Sequence, residues 1–154
     1  ADSPHLRVLA QYVKDLSFQN AMGAVVSAYE IQPTIDMGVE VKSRPVGEGE
    51  ATEVDLCINV QAKRGDQPMF AANLVYSGVF QFVNVRPDDV EPLIWIECPR
   101  LLFPFSRQIL AEVTREGGYP PLLINPIDFT PLYWQELRDR QGRGDVPLAA
   151  ARNG

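Results

Sequence analysis

Apolar and polar residues alternate in two runs near the middle of the chain, and these are its most legible elements. In the first run, Ile35, Met37, Val39 and Val41 alternate with Thr34, Asp36, Gly38, Glu40 and Lys42. In the second, Val54, Leu56, Ile58, Val60 and Ala62 alternate with Glu53, Asp55, Cys57, Asn59 and Gln61. Successive side chains of a strand point to opposite faces, so a period of two over this length predicts an antiparallel pair with one buried and one wet face. Residues 45–50, with Gly47 and Gly49, supply the turn between them. Arg64-Gly65-Asp66 makes the next turn, and a further strand runs over about residues 69–85, with Gly78 read as a bulge or bend.

The flanking segments are less regular. Residues 6–18 mix Leu6, Val8, Leu9, Tyr12, Val13, Leu16 and Phe18 with polar positions at no clean period, and a bulged strand and a short helix both fit. The connection that follows, residues 19–31, carries Met22, Val25, Val26 and Tyr29. A structureless connection of this length is usually functional or disordered, and its apolar content weighs against disorder.

After the strands the pattern turns helical. Arg86-Pro87-Asp88-Asp89 predicts a helix start, with proline early and acids in the first turn, and Leu93-Ile94-Trp95-Ile96 follows it. Pro104 marks a second helix start or a bend near one. Ile109, Leu110 and Val113 then recur at helical spacing, and Gly117-Gly118 closes the segment. A last helix begins near Asp128 or Thr130, with Phe129, Leu132, Tyr133 and Leu137 on one stripe and Trp134 beside it. Four strands without intervening helices, then helices alone, predict an α+β domain: a four-stranded antiparallel sheet with helices packed on one face.

Composition narrows the function. At 154 residues the chain fits one domain with a real core. No apolar run approaches the roughly 20 residues that cross a membrane, and no charged leader with an apolar stretch behind it points to secretion. Two cysteines, Cys57 and Cys98, cannot build a disulfide framework, which suits a reducing compartment. A net charge of −6 argues against a nucleic-acid partner and suits either solubility or a basic protein partner.

Catalytic chemistry finds little to stand on. The one histidine, His5, sits in a loose N-terminus, whereas a catalytic base must be held rigidly beside its nucleophile. Cys57 and Cys98 lack the spacing and extra ligands of a zinc site and read as small packing residues. Gly47-Glu48-Gly49 has neither the lysine nor the following helix of a phosphate loop. What remains is apolar surface in residues 19–31 and in the last helix. It either packs internally or marks an interface or groove.

Three motifs in fixed order carry more. Residues 98–107 read CPRLLFPFSR; Gly118-Tyr119-Pro120-Pro121-Leu122 and Asn125-Pro126-Ile127-Asp128-Phe129 follow. The set CPxLLFPF, GYPPL and NPxDF resembles the SecB family of protein-export chaperones, over about residues 6–137. The resemblance decides for a strand over residues 6–18 through Lys14-Asp15-Leu16-Ser17-Phe18. It implies a single SecB-like domain over residues 1–137 and a mobile tail over 138–154. It also implies a cytoplasmic holdase, without cofactor or catalysis, that binds unfolded precursor proteins in apolar grooves and delivers them to the SecA translocation motor. Assembly would be a homotetramer, a dimer of dimers joined through long helices, with Phe105, Ile109, Leu110 and Val113 partly between protomers.

Carried onto this chain, the client grooves take Met22, Val25, Val26, Tyr29 and Ile31 from the connection and Phe129, Tyr133, Trp134 and Leu137 from the last helix. The motor contact takes Asp15, Gln19, Ala71 and Asn73, with Glu53 and Asp55 as further acids. Here the chain departs from the family: Gln19 and Asn73 stand where acids are common, and Ile31 replaces an indole. Asp36 and Glu40 share polar parity with Glu53 and Asp55, which predicts a flat acidic sheet face. The rival readings are a small-ligand domain with a closed apolar pocket and an enzyme using the sheet's acids.

Overall fold

The two alternating runs form the strands they predict. The computed structural model describes residues 3–23 and 32–144. In it β1 (His5–Asn20), β2 (Thr34–Val46), β3 (Ala51–Arg64) and β4 (Gln67–Val83) form one antiparallel sheet in the order β1-β4-β3-β2. β3 and β4 are therefore central, and their covered face is the core: Val54, Leu56, Ile58, Val60 and Ala62 meet Ala72, Leu74, Tyr76 and Phe80, all buried. At roughly 1.5–3 kcal/mol for each large side chain buried, this layer supplies much of the driving force for folding.

The irregular period of residues 6–18 has a structural cause. The register of β1 on β4 shifts between Val8 and Ala10 and again between Val13 and Asp15. Each shift inserts one residue, Leu9 and then Lys14, and each extra residue reverses the parity of those that follow. The covered face of β1 thus reads Leu6, Val8, Gln11, Val13, Leu16, Phe18, opposite Phe82, Phe80, Gly78, Tyr76, Leu74 and Ala72. Gly78 itself is no bulge, since pairing runs through it on both sides. A Cβ there would stand 2.7 Å from the Phe80 ring and 3.0 Å from Leu102, so glycine is required by close approach. The remaining register shift lies across from Ala62 and Lys63.

Past β4 the chain runs as one helical stretch with a wide turn in it. α1 (Pro87–Pro92) passes into a π-helical turn over Leu93–Glu97, and α2 (Cys98–Glu116) continues directly. Pro87 occupies a first-turn position where a missing N–H costs nothing, whereas Pro99 directly follows the π-helical turn inside the continuous stretch. Pro104 lies inside α2, neither starting nor ending it, on the exposed side. The covered side of α2 presents Cys98, Leu102, Phe103, Leu110 and Ala111 to the core. Buried Ser106 and Thr114 satisfy their hydroxyls on the Leu102 and Leu110 carbonyls, each at 2.9 Å.

α2 ends where β1 does. Gly118, at φ 97°, makes the left-handed turn, and a Cβ on Gly117 would fall 2.2 Å from the Phe18 ring. Asn20 Nδ2 donates to the Gly117 carbonyl at 3.0 Å, and Tyr119 Oη lies 2.7 Å from Asn20 Oδ1. The segment to α3 (Phe129–Gly142) is tied back by Leu122 N–H donating to Thr114 Oγ1 at 2.9 Å. Asp128 caps α3 by accepting from Thr130 N–H at 3.1 Å. The expected boundary at residue 137 falls inside this helix, which continues to Gly142.

Candidate functional site

The core is complete at the centre of the sheet and incomplete at its edges. On β2, Val41 is buried, yet Ile35 and Met37 on the same face are 37% and 42% exposed. On β1, Val8, Val13 and Leu16 of the covered face are exposed, as are Leu101 and Phe105 of α2, although Phe105 stacks on Tyr76 at 6.0 Å. Exposed large apolar residues gathered on one side of a sheet, rather than scattered, are the feature that marks an interaction surface.

α3 borders the β2 edge. Between them lies a groove of about 160 Å³ lined by Val39, Glu40 and Val41 of β2, by Trp95, and by Leu132, Gln135, Glu136 and Asp139 of α3. Trp95 projects from the π-helical turn, where its ring stacks on Tyr133 at 6.0 Å and carries the Arg140 guanidinium 5.7 Å from its centre. Arg140 also pairs with Glu91 of α1 and, at 3.3 Å, with Glu136. Of the expected client residues, Trp134 is 56% exposed, whereas Met22 and Leu137 are half-buried. Tyr133 is buried against Trp95, and Phe129 belongs to the core, edge-on to Phe103. Val25, Val26, Tyr29 and Ile31 lie outside the described residues. Ile35, Met37 and Trp95 are additions: strand parity assigned the first two to the covered face but could not show that cover stops short of them.

The opposite, open face of the sheet holds the other candidates. Asp15, Gln19, Ala71 and Asn73 come together, because Gln19 pairs with Ala71, Ser17 with Asn73 and Asp15 with Val75. Glu53 and Asp55 do not join them as free acids. Glu53 is 5% exposed and receives the Tyr12 hydroxyl, Lys14 Nζ at 2.9 Å and Arg44 Nε at 2.7 Å. Burial opposes its ionisation, but the bonds from Tyr12 and Lys14 and the charges of Lys14 and Arg44 outweigh it and hold the carboxyl below its usual range. Asp55 receives Lys14 Nζ at 3.1 Å and Ser77 Oγ at 2.6 Å. This network ties β1 to β3 across β4, so the expected flat acidic face is corrected to one whose two most central acids are internally compensated.

Neither cysteine is activated. Burial, then the Glu97 charge, pushes the Cys98 thiol up to about 12, and burial also raises Cys57. Among the described residues no group of three or more His, Cys, Asp and Glu could hold a metal ion, and no helix is long and apolar enough to cross a membrane.

An antiparallel sheet with one face under helices, one face open and apolar side chains bare along both edges defines an α+β scaffold that offers surfaces. The family model described as SecB, preprotein translocase subunit SecB, matches residues 1–140. The protein-export protein SecB of Hyphomonas neptunium is 50% identical over 139 residues, 90% of this chain and 82% of that protein. That of Maricaulis maris is 49% identical, over 97% of this chain and 92% of the relative. A solved SecB-like chaperone of Mycobacterium tuberculosis, in complex with a peptide from the HigA1 antitoxin, shares the fold at TM-score 0.64 and 12% identity, covering 80% of this chain and 91% of that one. The chain belongs to the SecB family of protein-export chaperones.

Proposed function

We propose that this chain is a cytoplasmic holdase that keeps precursor proteins unfolded and passes them to the SecA motor. The observation that carries the reading is the bare apolar strip along β2, Ile35 and Met37, continuing into the cleft under α3. β2 is an edge strand, so its outer N–H and C=O groups are available to an added chain. An extended client segment can bond to that edge while its alternate side chains fall toward Trp95 and Leu132. Many weak contacts of this kind accept varied sequences and need neither cofactor nor catalysis. The apolar clefts among the described residues open at the surface, which supports a chain-binding protein over a closed small-ligand pocket.

The second bare strip, Val8, Val13 and Leu16 with Leu101 and Phe105, supports self-association into the tetramer. Leu110 takes no part in that strip, being fully buried within its own protomer, and Ile109 and Val113 are half-buried. The discriminating substitution is therefore Phe105→Glu: native mass should fall below that of a tetramer while the fold persists. On the open face, the cluster around Asp15, Gln19, Ala71 and Asn73 supports SecA docking. Crosslink mapping of a captured unfolded precursor tests the client reading. Crosslinks to Ile35, Met37 and Trp134 are expected; capture without any crosslink to β2 or α3 would overturn it.

A further inference from the structure

Asn20, the last residue of β1, is exposed, yet its side chain is bonded to groups 97 and 99 positions away as well as to its own neighbours. Its Oδ1 accepts from the N–H groups of Met22 at 3.1 Å and Gly23 at 2.8 Å, and its Nδ2 donates to the Gly23 carbonyl at 3.4 Å. These bonds turn the chain sharply as it leaves the sheet, with Gly23 in the left-handed region at φ 62°. The same Nδ2 donates to the Gly117 carbonyl at the end of α2, and the same Oδ1 receives the hydroxyl of Tyr119. Tyr119 Oη also lies 2.9 Å from the Met69 carbonyl of β4, which accepts from Ala21 N–H at 2.8 Å.

An amide side chain has N–H donors and a carbonyl acceptor, and here both ends are spent on the protein although water could reach them. Holding β1 on the core does not require this. The rings of Phe18, Phe70 and Tyr119 already pack with centroids 4.8 to 6.5 Å apart, and Met22 lies against the core. What the amide adds is direction: it fixes the exit at Met22 and Gly23 against the turn at Gly117 and Tyr119. From Gly23 the chain enters residues 24–31, which carry Val25, Val26, Tyr29 and Ile31 and lead into β2. From Tyr119 it runs on to α3, which carries Trp134. Both segments of the client-binding reading therefore start from points that one side chain holds together.

We propose that Asn20 is a positioning residue for client binding. It does not touch the client; by bridging Met22 and Gly23 to Gly117 and Tyr119 it holds the two client-binding segments at the spacing an extended chain needs. The inference rests on the client-binding reading above, and its physical basis is preorganisation. With the bridge cut, the binding-ready arrangement is populated only part of the time. Client association then slows by that fraction, while dissociation from the ready arrangement keeps its rate. A residue that met the client directly would act chiefly on the dissociation rate instead.

The test is stopped-flow binding of a reduced, alkylated and therefore permanently unfolded protein carrying a fluorophore, to the parent, to Asn20→Asp and to Asn20→Ala. Asn20→Asp is nearly isosteric and keeps an oxygen for the Met22 and Gly23 N–H groups, but it sets a carboxylate against the Gly117 carbonyl, so the turn survives and the bridge is cut. Asn20→Ala removes both. Each variant is expected to associate about fivefold more slowly, with the parental dissociation rate and a urea midpoint close to the parent's. Amide exchange at Met22 and Gly23 should quicken only in Asn20→Ala, which separates the turn from the bridge. An Asn20→Asp protein that associates at the parental rate would overturn the bridge, and faster dissociation in place of slower association would overturn positioning in favour of direct contact; in both cases the client reading stands. Failure of the parent itself to bind the unfolded protein would overturn the client reading, and this inference with it.

Discussion

α2 and α3 lie against the same body of the protein and are held in different ways. α2 buries Cys98, Pro99, Leu102, Phe103, Ser106, Leu110, Ala111 and Thr114, a continuous stripe down its length. α3 buries only Phe129 and Tyr133, near its start. Beyond these, half-buried Leu132 packs against the core, and the far end of the helix is tied by polar and ring contacts around one side chain, Arg140, which meets Trp95, Glu91 and Glu136. Apolar burial makes α2 inseparable from the sheet, whereas a latch can open while everything else stays folded. The difference makes α2 part of the core and leaves α3 the more easily opened helix, and it can be broken by experiment.

The largest effect is expected from Leu102→Ala. Leu102 is fully buried between α2 and the sheet, beside Gly78, and truncating such a leucine costs about 2–5 kcal/mol. Urea unfolding should show a lower midpoint with an unchanged slope. Gly117→Ala comes next, because its methyl group would fall on the Phe18 ring, and overpacking of this kind costs about 1–3 kcal/mol. A Gly117→Ala protein as stable as the parent would show that the junction of α2 and β1 is slack and that α2 is less firmly held than its burial implies.

Arg140→Ala should cost less, about 1 kcal/mol, because the guanidinium is only partly screened from water and its ring contact is a modest one. The informative readout is local. Amide exchange should quicken in α3 and stay slow in α2. Cys98 provides a second probe: with its thiol pushed up to about 12 and fully buried, it should resist alkylation at pH 8 in the parent and in Arg140→Ala alike. Labelling of Cys98 in Arg140→Ala at the rate of an unfolded chain would mean that the two helices open together, and the contrast drawn between them would be lost.

The same contrast explains what was legible in the sequence. β2 and β3 could be read because they pair with each other without a register shift, which keeps the period at two along both, whether or not the apolar face is covered. β1 obeys the same rule, but bulges at Leu9 and Lys14 reverse its parity twice, and the resulting spacing falls between strand and helix. The stripe of α3 was visible, yet its end was not: Arg138 to Gly142 has no apolar pattern, and the contacts that tie it to the rest of the fold run from one arginine to residues almost fifty positions away. Pairing across that distance leaves no local signature. Parity likewise assigned Glu53 and Asp55 to the open face correctly but said nothing of Lys14 and Arg44 standing over them.

The smallest effect on stability is expected at Trp134, and there the comparison is sharpest. Trp134 projects from α3 at 56% exposure, and among the described residues it has no ring contact or hydrogen bond. Removing an indole that the folded protein does not use should change stability by no more than about 0.5 kcal/mol. If α3 is a binding element, the same side chain should matter to clients, because an aromatic ring supplies large contact area at little entropic cost. Trp134→Ala is therefore expected to unfold with the parental midpoint and to capture an unfolded precursor several-fold more weakly, measured by suppression of aggregation at substoichiometric chaperone. Leu102→Ala, assayed at a temperature where it remains folded, should capture normally despite its large loss of stability. Reversal of that pattern, with Trp134→Ala binding as well as the parent while Leu102→Ala fails, would move the client surface off α3 and back toward the face that α2 covers.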